Sequence, residues 1–268
     1  MKKYILFILV SCAYVNVFAQ DENWDTYMAE IAKRPASILV DLSLEAKSPN
    51  ASLPYLLITG PKSKLCEGNG LPAKGEIDEL EEILTTTGTF ISGLTPKVLA
   101  GTLTYNCERV NYYYVKDTVG LSFAIARMYN HNYKDYKYVY KVKHDPEWNV
   151  YRDFLYPNEE SMTWMENEKI ITDLISQGDS LTKPRDITFE VIFTTEDDRK
   201  NFMSFAHSND YQVIELDHIK NLDTPYGIKI SRKELIKSDA IAELTTAVKK
   251  EAKKYNGRYM GWTSPVIK

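Results

Sequence analysis

The clearest structural pattern in the C-terminal part of the chain is the stretch Ile187-Thr-Phe-Glu-Val-Ile-Phe193. Every second residue in it is large and apolar, which is the pattern of a β-strand with one buried face. Thr194 or Thr195 then precedes a run of acidic residues that begins with Glu196. A hydroxyl side chain followed by acidic residues is typical of the start of a helix. The stretch therefore predicts a strand that leads directly into a helix.

Apolar residues at helix or strand spacing continue on both sides of this stretch. The predicted elements are helices near 170–175, 202–206 and 241–248, and strands at 187–193, 211–216, 226–230 and from 259 to about 266. Their order is helix, then strand-helix-strand-strand-helix-strand. This order is that of a ferredoxin-like split βαβ sandwich.

The N-terminal half repeats this order. Its predicted elements are strands at 56–59, 98–105, 110–115 and 136–142, helices at 77–91 and 119–128, and an additional first strand at 37–42. We therefore predict an α+β fold of two tandem ferredoxin-like (split βαβ) sandwiches, each an antiparallel sheet with helices on one face. The polar stretch Tyr156-Pro-Asn-Glu-Glu160 divides them into domains at 21–156 and 160–268.

The first 19 residues resemble an export signal. Lys2 and Lys3 are followed by the apolar run Tyr4-Ile-Leu-Phe-Ile-Leu-Val10, and Val17-Phe-Ala19 offers a cleavage site. The run is shorter than the roughly 20 residues that span a bilayer, so no transmembrane segment is predicted. Two alternatives stay open: a lipoprotein anchored through Cys12 in Leu9-Val-Ser-Cys12, and an uncleaved cytosolic start. We expect an exported protein of the periplasm or the medium.

Composition limits the classes of partner. The chain has 268 residues, a formal net charge of -4, 44% hydrophobic and 26% charged residues. These values are ordinary for a soluble globular protein. A mildly acidic chain has no global positive field for nucleic acid or anionic lipid. Nucleic acid is therefore not an expected partner, and the sequence sets no oligomeric state.

Two cysteines remain after the predicted cleavage. Cys66 lies in a loop that contains Glu67-Gly-Asn-Gly70, and Cys107 lies in the predicted hairpin turn Asn106-Cys-Glu-Arg109. A pair of loop cysteines in an oxidising compartment indicates a disulfide. Two unpaired thiols are the alternative. Neither cysteine belongs to a CxxC motif, so no redox or zinc role is predicted.

The C-terminal half carries motifs of a known family. They are Gly178-Asp179, Pro184-Arg185 and Gly257-Arg-Tyr-Met-Gly-Trp262. With the order of elements from 170 to 268, they resemble the RraB family of small regulators, which inhibit ribonuclease E by binding it. The usual acidic residue of the ending is Met260 here, and the strong acidity of the family is reduced. The resemblance implies a ferredoxin-like fold and a protein partner.

The N-terminal half carries motifs of a second family. They are Trp24-Asp-Thr-Tyr27, Arg34-Pro-Ala-Ser-Ile-Leu-Val-Asp41, Gly101-Thr-Leu-Thr104 and Glu108-Arg-Val-Asn-Tyr-Tyr-Tyr-Val115. This segment, from 24 to 155, is similar to DUF 695, a bacterial domain family of unknown function. The resemblance implies a bacterial source and no particular chemistry.

Candidate binding residues come from an aromatic and basic region and from the chain end. They are Arg109, Glu108, Tyr112, Tyr114, Tyr136, Tyr138, Tyr140 and Trp262. Tyrosine rings offer flat contact area with a polar tip, which suits peptides, glycans or unstacked bases. The alternative for the tyrosines is a sheet face packed under helices, for Arg109 an ion pair, and for Trp262 a place in the core.

No catalytic or metal-binding motif stands out. The histidines, at 131, 144, 207 and 218, lack the i, i+4 spacing of ligands on one helix face, and no nucleophile elbow or phosphate loop is present. We therefore predict no cofactor and no metal. The leading hypothesis is a non-enzymatic protein-binding or regulatory module of the bacterial cell envelope. A ribonuclease-binding regulator and an envelope enzyme acting around Glu108 and Arg109 are the alternatives.

Overall fold

A computed structural model describes residues 22–219 and 223–268. The predicted export signal, with its cleavage site at Ala19 and the alternative lipidation site at Cys12, lies outside the described residues. None of the described helices is both long enough and apolar enough to cross a bilayer.

The N-terminal half forms a six-stranded antiparallel sheet. Its elements are β1 (Trp24–Ile31), β2 (Arg34–Asp41), β3 (Tyr55–Pro61), α1 (Ile77–Ser92), β4 (Lys97–Tyr105), β5 (Glu108–Val115), α2 (Leu121–Asn132) and β6 (Tyr138–His144). The strand order is β1-β2-β4-β5-β3-β6. The last four strands in this order, with α1 and α2, form the predicted ferredoxin-like unit. The β1–β2 hairpin extends its sheet beyond β4.

Each face of this sheet has its own hydrophobic core. Helices α1 and α2 pack on one face, where Leu57, Tyr113 and Val115 are buried. The opposite face is covered by a 3-10 turn at Leu42–Lys47 and by a short π-helical segment at Tyr151–Leu155. The α-helices of this half therefore lie on one face, as predicted, while the other is closed by short irregular segments and by part of the helix Glu159–Ser176.

The core beneath the π-helical segment is organised by a buried carboxylate, Asp145. It accepts a hydrogen bond from the Tyr114 hydroxyl at 2.7 Å and from the Val150 amide at 3.0 Å. The Trp148 ring stacks on Tyr114 at 3.9 Å between ring centroids, and its indole N–H donates to the Leu53 carbonyl at 3.1 Å. Each polar group in this dense aromatic cluster thus has a partner, which offsets the cost of its burial.

The C-terminal half forms a four-stranded antiparallel sheet. Its elements are α3 (Glu159–Ser176), β7 (Arg185–Phe193), α4 (Glu196–Ser208), β8 (Gln212–His218), β9 (Tyr226–Glu234), α5 (Ser238–Lys254) and β10 (Arg258–Thr263). The strand order β10-β7-β9-β8 is again ferredoxin-like. The predicted cap of α4 is confirmed at Thr195, whose hydroxyl accepts from the Asp198 amide at 3.1 Å. The predicted fold class is confirmed for both halves.

Helix α3 contributes side chains to both halves. Met165 is buried in the core beneath the first sheet, whereas Ile171 and Leu174 are buried in the core of the second. At the first sheet, the Lys169 ammonium lies 2.5 Å from the Asp25 carboxylate on β1. The helix therefore connects the two halves by packing as well as by chain continuity.

A buried ion pair fixes the chain end of the second half. The Arg185 guanidinium donates to the Asp179 carboxylate, and both side chains are almost fully buried. Asp179 also accepts from the backbone amides of Leu181 at 2.8 Å and Ile267 at 2.7 Å. These hydrogen bonds, that of Arg185 first, hold the pKa of Asp179 well below its usual range, although burial opposes the shift.

We expect Asp179→Asn to unfold at a lower temperature than the wild type at neutral pH, because it leaves the buried Arg185 charge without a counter-charge. The lowered pKa adds a pH dependence. The ionised carboxylate stabilises the folded chain fully above about pH 4, and this stabilisation is lost as the pH falls below that value. Thermal unfolding from pH 7 to pH 2, followed by circular dichroism, measures both effects.

The matched control is Asp186→Asn, an exposed carboxylate on β7. We expect this variant to follow the wild type at every pH. Equal destabilisation of the two variants, or an unchanged pH profile for Asp179→Asn, would contradict the assigned role of the buried pair.

Candidate functional site

The structure separates Glu108 and Arg109, which are neighbours in the sequence. The Glu108 carboxylate pairs with the Lys62 ammonium at 2.5 Å on the surface. The Arg109 guanidinium lies 2.6 Å from the Glu81 carboxylate on α1 and donates to the Thr104 hydroxyl at 2.6 Å. Both side chains therefore have structural partners and do not face one common site.

The predicted tyrosines also lie in different places. Tyr112 and Tyr114 are buried in the core beneath the π-helical segment, where burial raises the pKa of Tyr112 to about 12. Tyr138 stacks on Tyr129 of α2 at 4.3 Å between centroids, and Tyr140 packs against the same helix-side core. Tyr136 is buried, with the Lys64 ammonium 3.9 Å from its ring centroid. The tyrosines do not form a continuous recognition surface.

Thr102 of β4 and two alternate residues of β5, Asn111 and Tyr113, form a chain of hydrogen bonds on the helix side of the sheet. The Thr102 hydroxyl donates to the Asn111 side-chain oxygen at 2.6 Å. The Asn111 amide donates to the Tyr113 hydroxyl at 2.7 Å. All three residues are buried. These hydrogen bonds were not predicted from the sequence, although Asn111 and Tyr113 alternate with Val110, Tyr112 and Tyr114 in the motif at 108–115.

This polar chain lines a groove of about 440 Å³ between α1 and the extended part of the sheet, here called the first groove. Its wall on α1 carries small and hydroxyl residues, and its floor comes from β2, β4 and β5. The residues that line it are Trp24, Leu39, Glu81, Leu84, Thr85, Gly88, Thr89, Ser92, Lys97, Leu99, Thr102, Asn111 and Tyr113.

Gly88 determines how closely α1 approaches the floor of the first groove. A Cβ atom at this position would lie 2.9 Å from the Tyr113 hydroxyl and 3.8 Å from the Lys97 ammonium. The first distance is below van der Waals contact, so only glycine fits here without a shift of the tyrosine. The absence of a side chain thus brings both polar groups against the helix.

Lys97 carries the unusual charge of the first groove. Its ammonium lies 4.7 Å from the centroid of the Tyr113 ring. Partial burial lowers the pKa of Lys97, and the negative charge of Glu22 partly opposes this effect. Within residues 22–219 and 223–268, the ammonium forms no hydrogen bond or ion pair.

A second groove, of about 580 Å³, lies between α3, α5 and β10 and contains the terminal motif. The residues that line it are Glu159, Glu166, Asn167, Ile170, Lys249, Lys253, Gly257, Arg258, Tyr259, Met260, Gly261 and Trp262. Trp262 forms part of its floor and is buried, and its indole N–H donates to the Asn167 side chain at 2.9 Å. The structure thus places Trp262 in a packed position beside this groove.

Two side chains of the second groove have distinctive electrostatics. The Lys249 ammonium donates to Thr163 at 2.9 Å and to Glu166 at 2.8 Å, and lies 5.3 Å from the Tyr259 ring centroid. The Tyr259 hydroxyl is buried without a hydrogen-bond partner among the described residues. Burial raises the pKa of Tyr259, so this hydroxyl keeps its proton.

The part of the chain that the structure describes contains no group of three or more His, Cys, Asp or Glu side chains arranged to hold a metal ion. Carboxylates do line both grooves, Glu81 in the first and Glu159 and Glu166 in the second, beside lysine, hydroxyl, amide and aromatic groups.

Comparison with known families accounts for both halves. A family model described as a family of unknown function, DUF695, matches residues 22–156. This chain belongs to the DUF695 family. A second model, regulator of ribonuclease activity B (RraB), matches residues 164–264. Both resemblances inferred from the sequence are confirmed, and together they indicate a regulatory or binding module.

Solved structures and curated proteins add little to this assignment. A chain described as a glycine cleavage system transcriptional repressor is 11% identical with a TM-score of 0.23, and covers 79% of this chain and 98% of its own length. An unknown protein from Galdieria sulphuraria is 7% identical with a TM-score of 0.23 and the same coverage. These scores are too low to support a functional argument. No curated protein matches significantly.

We expect Asn111→Ala to destabilise this DUF695 chain by about 1–3 kcal/mol, because it leaves the buried Thr102 and Tyr113 hydroxyls without their shared partner. Glu108→Gln is the control. It removes a partly exposed ion pair and should cost less than about 1 kcal/mol. Urea unfolding followed by tryptophan fluorescence measures both. A larger effect for Glu108→Gln would show that the surface pair matters more than the buried chain.

Proposed function

We propose that this DUF695 protein is an exported, non-enzymatic module of the bacterial cell envelope that binds an extended segment of another protein. In the proposed division, residues 21–156 and 160–268 are its two domains. The observation that carries the proposal is the position of β10, which pairs with β7 alone among the described strands and lines the second groove along its length. The RraB family match supports regulation by protein contact.

The edge of β10 supplies backbone groups for such a partner. An unpaired strand edge presents a row of N–H and C=O groups that an incoming strand can pair with. Six consecutive residues, 257–262, line the second groove, so it follows the strand itself rather than one side-chain row. Helix α3 forms the opposite wall and leaves an elongated space, which suits an extended peptide.

The side chains around this edge favour a segment with apolar and acidic residues. Met260 is half exposed and Ile170 is partly buried, so both offer apolar contact. Lys253 is paired with Glu159 at 3.6 Å, so the positive charge left for a partner comes from Arg258, which has no ion-pair partner in the described part of the chain.

Export is supported by a disulfide between Cys66 and Cys107, whose Cα atoms lie 5.5 Å apart. Such bonds persist in oxidising compartments. A lipid anchor at Cys12 would keep the same protein in the envelope. Regulation of a ribonuclease, which the RraB match suggests, would instead require a cytosolic chain.

We expect Met260→Glu to weaken binding of extended peptides at least about tenfold, because it places a carboxylate where an acidic, partly apolar segment docks. Peptides would first be selected from a random display library on the oxidised protein. Their affinities for the wild type and the variant would then be measured by fluorescence anisotropy. Hydrogen exchange of the β10 amides should also slow when a peptide is bound.

The matched control is Ile214→Glu, which changes an equally exposed apolar residue on β8, the opposite edge of the same sheet. We expect this variant to bind like the wild type. Loss of binding in Ile214→Glu alone would assign the partner to β8, and unchanged binding in Met260→Glu would remove the second groove from the proposal.

The compartment is tested by the intact mass of the protein from its native cells, before and after reduction. We expect a mass that begins at Gln20 and rises by two hydrogen atoms on reduction. A lipidated mass beginning at Cys12 would support the anchored form. A mass that begins at Met1 with free thiols would contradict export and make ribonuclease regulation the leading function.

A further inference from the structure

The first groove has chemistry that a peptide-binding edge in the other half does not explain. Its most specific feature is the Lys97 ammonium, which is partly buried and has no anionic partner in contact with it among the described residues. Burying part of a cation costs free energy unless an anion or strong acceptors compensate it. An anion in the groove would supply that compensation.

We propose that the first groove binds a small carboxylate-bearing molecule, with the carboxylate held by the Lys97 ammonium and the Tyr113 hydroxyl. The two groups converge above Gly88, since a Cβ atom there would lie within 4 Å of both. A bound carboxylate has two oxygens, so it can accept a hydrogen bond from each group.

The Tyr113 hydroxyl is oriented for donation. It accepts a hydrogen bond from the Asn111 amide at 2.7 Å, and that amide is itself fixed by Thr102. The accepted bond occupies the oxygen and leaves the hydroxyl proton for another acceptor. Burial raises the pKa of Tyr113 to about 12, so the proton is retained at neutral pH.

The carboxylates near the first groove are already engaged. Glu22 accepts from the Trp24 indole at 2.7 Å, and Glu81 is paired with Arg109 at 2.6 Å. Glu22 still contributes a favourable field at Lys97, but it forms no ion pair with that ammonium. An incoming carboxylate therefore does not have to displace a bound protein carboxylate.

The other residues that line the first groove indicate the chemistry of the rest of the ligand, beyond its carboxylate. Leu39, Leu84 and Leu99 provide apolar contact, and the Trp24 ring lies at the rim. The Ser92 hydroxyl donates to the Gly88 carbonyl at 3.0 Å, which leaves its oxygen as an acceptor. The volume of about 440 Å³ is within the range of sites for small molecules. A carboxylic acid with an apolar or aromatic body fits these features.

The test uses phenylacetate as the probe and phenylacetamide as its neutral counterpart. Titration into the full oxidised protein would be followed by amide chemical shifts. We expect phenylacetate to shift the amide signals of α1, β4 and β5 with a dissociation constant of about 1 mM or below. Phenylacetamide should bind about tenfold more weakly or worse. Equal binding of acid and amide, or shifts confined to other surfaces, would overturn the proposal.

Two substitutions of Lys97 test whether its positive charge holds the carboxylate. Lys97→Met should weaken phenylacetate binding at least about tenfold while Lys97→Arg retains most of it. The control Lys116→Met removes an exposed lysine at the end of β5 and should change nothing. Tyr113→Phe, which keeps the ring, should reduce the affinity without loss of the native spectrum. Unchanged binding in Lys97→Met, or tighter binding of phenyl phosphate than of phenylacetate, would overturn the carboxylate assignment.

Discussion

The first sheet is wider than the helix layer that packs on it, and the first groove follows from this difference. An α-helix is about 10 Å across and neighbouring strands lie about 4.8 Å apart, so two helices cover about four strands. The sheet has six strands, and α1 and α2 pack over only part of it. The β1–β2 hairpin therefore extends the floor beyond the helix layer. The first groove is the space that results along α1, and Gly88 brings its polar floor within reach of the helix.

Helix α3 links the two halves, because it contributes buried side chains to the core of each. Its Met165 is buried in the core of the first half, and its Ile171 and Leu174 are buried in that of the second. The same helix supplies Glu166, Asn167 and Ile170 to the second groove. A segment bound beside β10 would thus touch a helix that is also packed on β1. Packing in both cores restrains α3 from moving independently, because its displacement would expose apolar side chains in each half.

The sequence predicted the fold well where a strand alternates, and less well where a turn is unusual. The stretch 187–193 became β7 within two residues of its predicted start. Strand β1 was missed because its hairpin turn uses Ala32 and Lys33, both with positive φ, without the Asn or Gly that marks such turns. The candidate site was harder to predict from the sequence than the fold. Residue type alone singles out the tyrosines, but which face of the sheet Tyr112 and Tyr114 occupy depends on how β5 is placed among its neighbours, which the sequence of one strand does not reveal.

The disulfide joins the loop that carries Cys66 to the turn between β4 and β5. Cys107 occupies the β4–β5 turn, and its backbone amide donates to the Gly70 carbonyl at 2.7 Å in the loop that carries Cys66. That loop is also held by Glu76, which accepts from the Leu65 amide at 2.8 Å. Burial alone would raise the pKa of Glu76, but hydrogen bonds from Ser63 and the loop amides lower it, so the carboxylate stays charged. The end of the hairpin that positions Arg109 is therefore restrained covalently and by a buried carboxylate. Since Arg109 pairs with Glu81 beside the first groove, an oxidising environment favours a fixed groove wall.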